Sequence, residues 1–329
     1  MIGHIRAEWV RLGKRRALQV IVIAVPLLAA FFFLSGYASI WEGPPPFDAA
    51  EVRARIIAEG YYLEGVPPDE VESVLAQAIE SERVNTEMQL ADIERTRSSY
   101  GFPESLVTVF GSSTFILFAL ILLTATTIGD EFSWGTIRTT LIASSHRRRL
   151  LLVRLAAMAL IAVLLLVSLL FLGLVLPLVL SAAGARLPSP APIDAGALGV
   201  LILGQLVAGL AVIAFAAMAT LLVRSGSLTL VVLLVYVLVE VAILAVLLQF
   251  EGFRDNGPSA WILDAFPVRG MGTMTQAATR AASGLPGFPG EVIVRNLGAA
   301  TLPLLSLSIW TCVFAGIALR RFRRMDIAE

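Results

Sequence analysis

Few side chains in this sequence can do chemistry, and where they stand decides which chemistry is open. One carboxylate, Glu240, lies in the middle of the otherwise uncharged run 228–248. If that run crosses a membrane, a carboxylate at its centre costs about 2.5–3.5 kcal/mol. Two readings fit it: a group lining a translocation path or a subunit interface, or a neutral Glu bonded to a neighbouring backbone or hydroxyl group. The one cysteine, Cys312, sits in another apolar run, which excludes an internal disulfide and a cysteine-based metal cluster. His4 and His146 both fall in arginine-rich segments, so a histidine metal site within the apolar runs is excluded as well. The only lysine is Lys14 and no Gly-x-x-x-x-Gly-Lys-Ser/Thr phosphate loop occurs, so the chain does not hold ATP in that manner. A membrane-embedded hydrolase needs a histidine pair, an activated serine or paired aspartates within the lipid, and the apolar runs offer none of these. The expectation is a chain that is not an enzyme and carries neither metal nor cofactor of its own.

The elements that must position these groups are set by hydrophobicity. Among 329 residues, 57% are hydrophobic and 15% charged, far more apolar than a water-exposed domain needs, so much of the chain has lipid as its solvent. A helix crosses a hydrocarbon layer of roughly 30 Å with about 20 apolar residues. Six runs meet that requirement, at 17–39, 105–127, 150–181, 196–222, 228–248 and 299–319. The third and fourth exceed one crossing, which implies tilt, a kink at Pro177, or ends that project beyond the lipid. Gly204 and Ala208, in small-xxx-small spacing on the fourth run, favour close helix packing. The expected fold class is therefore an all-α polytopic membrane protein with six transmembrane helices.

Basic residues near span ends orient it, because Lys and Arg are retained on the cytoplasmic side. Arg6, Arg11, Lys14, Arg15 and Arg16 precede the first span. Arg138, Arg147, Arg148, Arg149 and Arg154 stand between or just inside the second and third, and Arg320, Arg321, Arg323 and Arg324 follow the last. With both termini inside, the cytoplasmic face holds 15 basic and 5 acidic residues and the outer face 10 basic and 19 acidic, so N-in, C-in in the cell (cytoplasmic) membrane is expected. The first apolar run is over 20 residues long, too long for a typical signal-peptide core, and no clear small-x-small cleavage site precedes the turn at Trp41–Pro46, so it reads as a retained anchor.

Outside the spans, 40–104 is an acidic extracytoplasmic insertion too long for a plain connector. It opens with Gly43-Pro44-Pro45-Pro46, and after Pro68-Asp69-Glu70 the apolar residues Val71, Val74, Leu75, Ala78 and Ile79 recur at helical spacing. One or two amphipathic helices are expected, as a cap over the span ends or as a ligand-binding element. The segment 249–298 is apolar but interrupted, and reads as a re-entrant helix pair or an interfacial loop. Residues 1–16 can form an amphipathic interface helix with Ile2, Ile5, Trp9 and Leu12 on one side.

The connection at 128–149 reads as a short cytoplasmic helix over 130–142, whose acidic opening Asp130-Glu131 suits the positive end of a helix dipole, with Ser144 or Ser145 capping the third span. Phe132, Trp134 and Ile137 either dock into a partner's groove or anchor the helix at the headgroup level.

The stretch 129–155, GDEFSWGTIRTTLIASSHRRRLLLVRL, resembles the corresponding connection of the type-2 ABC-transporter permeases, the membrane subunits of bacterial ABC exporters. Gly129, Glu131, Gly135, Thr136, Arg138 and Leu141 match that family's pattern in order, Arg147 and Arg154 fall at its basic positions, and Arg6-Ala7-Glu8-Trp9 is similar to its opening. Arg154 where Lys is commoner, and the long 40–104 insertion, depart from the pattern. The resemblance implies a permease that exports a drug, peptide or lipid-like substrate, pairs with a second copy of itself or a similar permease, and is driven by cytoplasmic ABC ATPase subunits that hold ATP and Mg. It implies ATPase-contact or coupling roles for Glu8, Gly129, Asp130, Glu131, Phe132, Trp134, Gly135, Thr136 and Arg138. Membrane lipid is the other partner, and nucleic acid is not one. The alternatives are a gradient-driven secondary transporter, for which only Glu240 offers an intramembrane ligand, and a non-transport membrane scaffold or sensor.

Overall fold

In the computed structural model the described residues are 16–41, 47–59, 70–111, 113–133, 147–188, 195–247 and 290–323, with the isolated positions Val10, Pro67 and Gln249. They form nine helices: α1 Arg16–Ala38, α2 Ala49–Glu59, α3 Val71–Ser98, α4 Glu104–Gly111, α5 Ser113–Ser133, α6 Arg147–Ala182, α7 Ala195–Val223, α8 Gly226–Leu247 and α9 Gly290–Arg323. Among the described residues there is no strand. Six stretches are long and apolar enough to cross a membrane, beginning at Leu18, Glu104, Arg148, Leu201, Gly226 and Leu304. All six expected spans coincide with them. Helix is what lipid demands, since a backbone N–H or C=O without a partner in hydrocarbon costs several kcal/mol.

α7 is the centre of the bundle and packs against α9, α5, α6 and α8. The most apolar window of the α7 span is 61% buried, against 17% for the α8 and α9 spans and 22% for α1, which therefore carry broad outward apolar faces. Gly204 and Ala208 are both buried there, as their spacing implies. α6 stays one helix of 36 residues through Pro177 and, at roughly 1.5 Å per residue, is much longer than one crossing.

The hairpin end of the bundle is built by residues from several elements. Asp48 Oδ1 accepts the Ala50 N–H at 2.9 Å and starts α2. Val52 and Ile56 of α2 pack on Leu75 of α3, with Ala78 and Ile79 alongside, so the helical spacing seen in the sequence marks a real packed face. Arg53–Glu72 (3.0 Å) and Arg55–Glu82 tie the two helices across their exposed side. At the other end of α3, Arg97 Nη2 donates to the Ile40 and Trp41 carbonyls at 2.9 Å, in the turn that follows α1, and places a cation near the negative end of that helix. Tyr100 then packs edge-on against Phe33 and Tyr37, with ring centroids 5.0 and 5.4 Å away. Ser105 Oγ donates to the Gly173 carbonyl at 2.8 Å and pins α4 to α6.

Two boundaries differ from the sequence reading. Residues 128–133 belong to the last turn and a half of α5, so Asp130-Glu131 close a helix instead of opening one. Their charge stands at the dipole's negative end and is balanced from another helix, described below. α9 begins at Gly290, so 290–298 extend the last helix and are not part of a re-entrant segment. Glu291 and Arg295 end the apolar run without ending the helix, which a hydropathy reading cannot see. The rest of the proposed re-entrant segment, 250–289, and the 1–16 helix, apart from Val10 and Arg16, lie outside the described residues, as does the cap at Ser144 or Ser145.

α5 and α8 approach each other glycine on glycine. A Cβ built on Gly129 of α5 would lie 2.3 Å from Gly226 Cα, and one on Gly226 would lie 3.1 Å from the Ala125 carbonyl oxygen. Backbone cannot yield there as a flexible side-chain tip can. Gly129→Ala is expected to lower stability by about 1–3 kcal/mol by forcing α5 and α8 apart. Gly316→Ala, where a Cβ meets nothing within 4 Å, is expected to be neutral or mildly stabilising; thermal unfolding of the two variants in one detergent compares them directly.

Candidate functional site at the basic end

α5, α7 and α9 end, and α1, α6 and α8 begin, at one end of the bundle. Ile128, Leu151, Ala217, Leu221, Ala318 and Phe322, from α5, α6, α7 and α9, close that end as one buried cluster, with Phe132 packed against it. The α7–α8 connection is two residues, Arg224 and Ser225. Arg224 adopts φ 61°, the left-handed conformation that helix C-caps use, and its N–H bonds the Thr220 carbonyl at 2.7 Å. Ser225 Oγ then accepts the Leu228 N–H at 3.4 Å and caps α8. This tight turn sets Gly226 where Gly129 can meet it.

Within this frame lies the one buried ion pair among the described residues. Arg154 Nη1 is 2.6 Å from Glu131 Oε2, with the two side chains only 1% and 4% exposed. Arg154 stands two turns inside α6 and Glu131 in the last turn of α5, so the pair joins the two helices that flank the 134–146 connection. Taking either charge out of water costs several kcal/mol, and the partner's attraction at 2.6 Å is what offsets it. The pair thus fixes the relative register of α5 and α6 more than it adds net stability.

Of the residues proposed from sequence, Gly129 is buried against Gly226, Glu131 is paired with Arg154, and Asp130 and Phe132 are half-buried beside them. Trp134, Gly135, Thr136, Arg138 and Glu8 lie outside the described residues. Glu240 is not part of this group. It is 14 residues beyond Gly226, roughly 21 Å along α8, and only 3% exposed within the chain's own bundle. Tyr236, one turn earlier, makes a side-chain hydrogen bond with it. Tyr236 leads into an aromatic series through Phe215 (4.8 Å) and Phe314 (4.8 Å) to Trp310 (5.1 Å), which joins α8, α7 and α9.

The sequence reading did not name Arg154, Gly226 or Tyr236 as site residues. Their signals were present: opposite charges just inside the facing ends of consecutive spans, a glycine opening a span after a two-residue turn, and a tyrosine one helical turn before the intramembrane carboxylate.

The helices and their apolar surfaces define a polytopic α-helical membrane protein. Residues 73–328 match the family described as Protein of unknown function (DUF2705), and the chain belongs to that family. No curated protein matches it.

If the pair sets register, the two partners must fail alone and be replaceable together. Glu131→Leu or Arg154→Met singly is expected to cost about 3–5 kcal/mol by leaving one charge buried, while Glu131→Leu combined with Arg154→Met should recover most of that loss. Chemical denaturation in detergent of the two singles and the double gives the coupling energy; simple additivity would mean that the pair carries none.

Proposed function

We propose that this chain is the membrane-spanning permease subunit of an ABC exporter for a drug, peptide or lipid-like substrate, with both termini in the cytoplasm and ATP and Mg held by separate ATPase subunits. The observation that carries the reading is the Glu131–Arg154 pair, because it ties both ends of the 134–146 connection into the bundle. That connection is the segment whose Gly129, Glu131, Gly135, Thr136 and Arg138 resemble the type-2 permease pattern. A partner that pushes on it displaces α5 and α6 together instead of bending a loop. Nucleotide-driven closure of the ATPases then biases the bundle between inward and outward access, as a ligand biases any two-state element. The broad apolar faces of α1 and α8 leave surface for lipid and for a second permease.

The test is to co-express the chain with a candidate ABC ATPase and assay the complex in nanodiscs. A stable complex whose ATP hydrolysis rate falls several-fold with Glu131→Ala supports the coupling role. Absence of a complex with any ABC ATPase of the host sinks the permease reading.

A gradient-driven transporter is the second reading, favoured by the buried Glu240 and its bond with Tyr236. The two separate on Glu240→Gln. An ATP-driven permease is expected to keep nucleotide-dependent transport in vesicles after this change, whereas a carrier that moves protons through the carboxylate loses transport and its sensitivity to an ionophore together.

A further inference from the structure

The basic end of the bundle carries more arginine than its ion pairing uses. Arg148 and Arg149 lie in the first turn of α6, and Arg320, Arg321 and Arg323 in the last turn of α9; all five are exposed. These groups are far apart in sequence, yet Leu151 and Phe322, both 0% exposed, belong to one buried cluster and bring the two turns together. Phe322 points into the bundle while the arginines on either side of it remain outside, so they are held in place at the surface. Among the described residues no carboxylate pairs with any of the five.

Charge placement on α6 sharpens the point. A helix N-terminus already presents partial positive charge and favours acidic residues, but α6 opens with Arg147, Arg148 and Arg149 and has no acidic residue in its first turn. Retaining that end of the span in the cytoplasm requires basic residues nearby but not in that turn. The arrangement is unfavourable for the isolated chain and becomes favourable when an anion sits between the two turns.

The surroundings identify the kind of anion. One turn toward the bundle's middle, the outward surface turns apolar: Leu152 on α6 is 43% exposed, and Val313 and Ile317 on α9 are 41% and 42% exposed. A ligand that meets both bands carries a phosphate at one end and hydrocarbon at the other. We propose that the basic surface made by the first turn of α6 and the last turn of α9 binds the phosphodiester of an anionic phospholipid, with its acyl chains along the apolar faces below. The forked guanidinium donors suit a phosphate's paired oxygens, and each arginine near an anionic leaflet strengthens binding about fivefold. The site is independent of whether the chain is driven by an ATPase or by a gradient.

The experiment uses the full-length chain in detergent, titrated with phosphatidylglycerol and, separately, phosphatidylcholine, with bound lipid counted by native mass spectrometry. Phosphatidylglycerol is expected to be retained at least tenfold better and to lose most of that advantage in R148Q/R149Q and in R320Q/R321Q/R323Q. The advantage should fall only in part in R320K/R321K/R323K, which keeps the charge but loses the forked donors, and persist in full in R53Q/R55Q, which alters the opposite end. Equal retention of the two lipids overturns the proposal, as it would if the arginines served an acidic protein surface instead. Displacement of the lipid by inorganic phosphate at equal concentration overturns it too, because the site would then recognise a soluble anion; so does a preference that the glutamine variants leave unchanged.

Discussion

Lipid withdraws from a helix bundle the force that builds cores in water. Hydrocarbon outside is as apolar as leucine inside, so helices associate through close packing and a small number of buried polar contacts. In this chain α5 and α8 pack closely where they cross at Gly129 and Gly226, and no side chain separates the two backbones. The geometry of the basic end follows from it. With α8 fixed against α5, and α7 joined to α8 by two residues, three helix ends are held before any charge is considered. α6 and α9 then complete the cluster around Leu151 and Phe322.

The buried ion pair is best understood inside that frame. Burying two charges earns little net stability, since desolvation consumes most of the attraction. Its value lies in the alternatives it excludes: a slide of α5 against α6 by a single turn would leave Glu131 and Arg154 each buried without the other. The bundle can therefore shift at this end only in ways that keep the pair together or expose both partners. Structural elements with two discrete arrangements are what switching proteins use, and a continuous apolar seam would not supply one.

How legible this was in the sequence depends on the kind of signal. Span number and position were readable because a 20-residue apolar run has few competing explanations, and the α2–α3 face was readable because Leu75, Ala78 and Ile79 recur at helical period. The end of α5 was not. Asp130 and Glu131 look like the start of a helix, and only the position of Arg154, 23 residues later, reverses that by supplying a partner at the other end of the dipole. The start of α9 was missed for a related reason: Glu291 and Arg295 lower hydropathy without interrupting backbone hydrogen bonding. Gly226 became informative only when the fold set it against Gly129, as a small residue reports a close approach but not with whom.

The two carboxylates within the bundle stand at different depths, and their separation has a mechanical side. Glu131 is beside the α5–α8 crossing, and Glu240 lies roughly 21 Å further along α8. α8 is one helix from Gly226 to Leu247, stiffened by its own backbone bonds, and its partner at the crossing has no side chain to interlock with it. Such a crossing resists approach but opposes rotation weakly. A tilt of about 5° at Gly226 carries Glu240 about 2 Å, the size of the roughly 1–2 Å helix shifts that switching proteins use. The aromatic series from Tyr236 to Trp310 opposes that tilt, because Tyr236 would have to leave its edge contact with Phe215, 4.8 Å between centroids, for Glu240 to move. Glu240 is thus held at mid-span through Tyr236 and its contact with α7, and levered from α5 at the basic end, and its position depends on which of the two constraints is stronger.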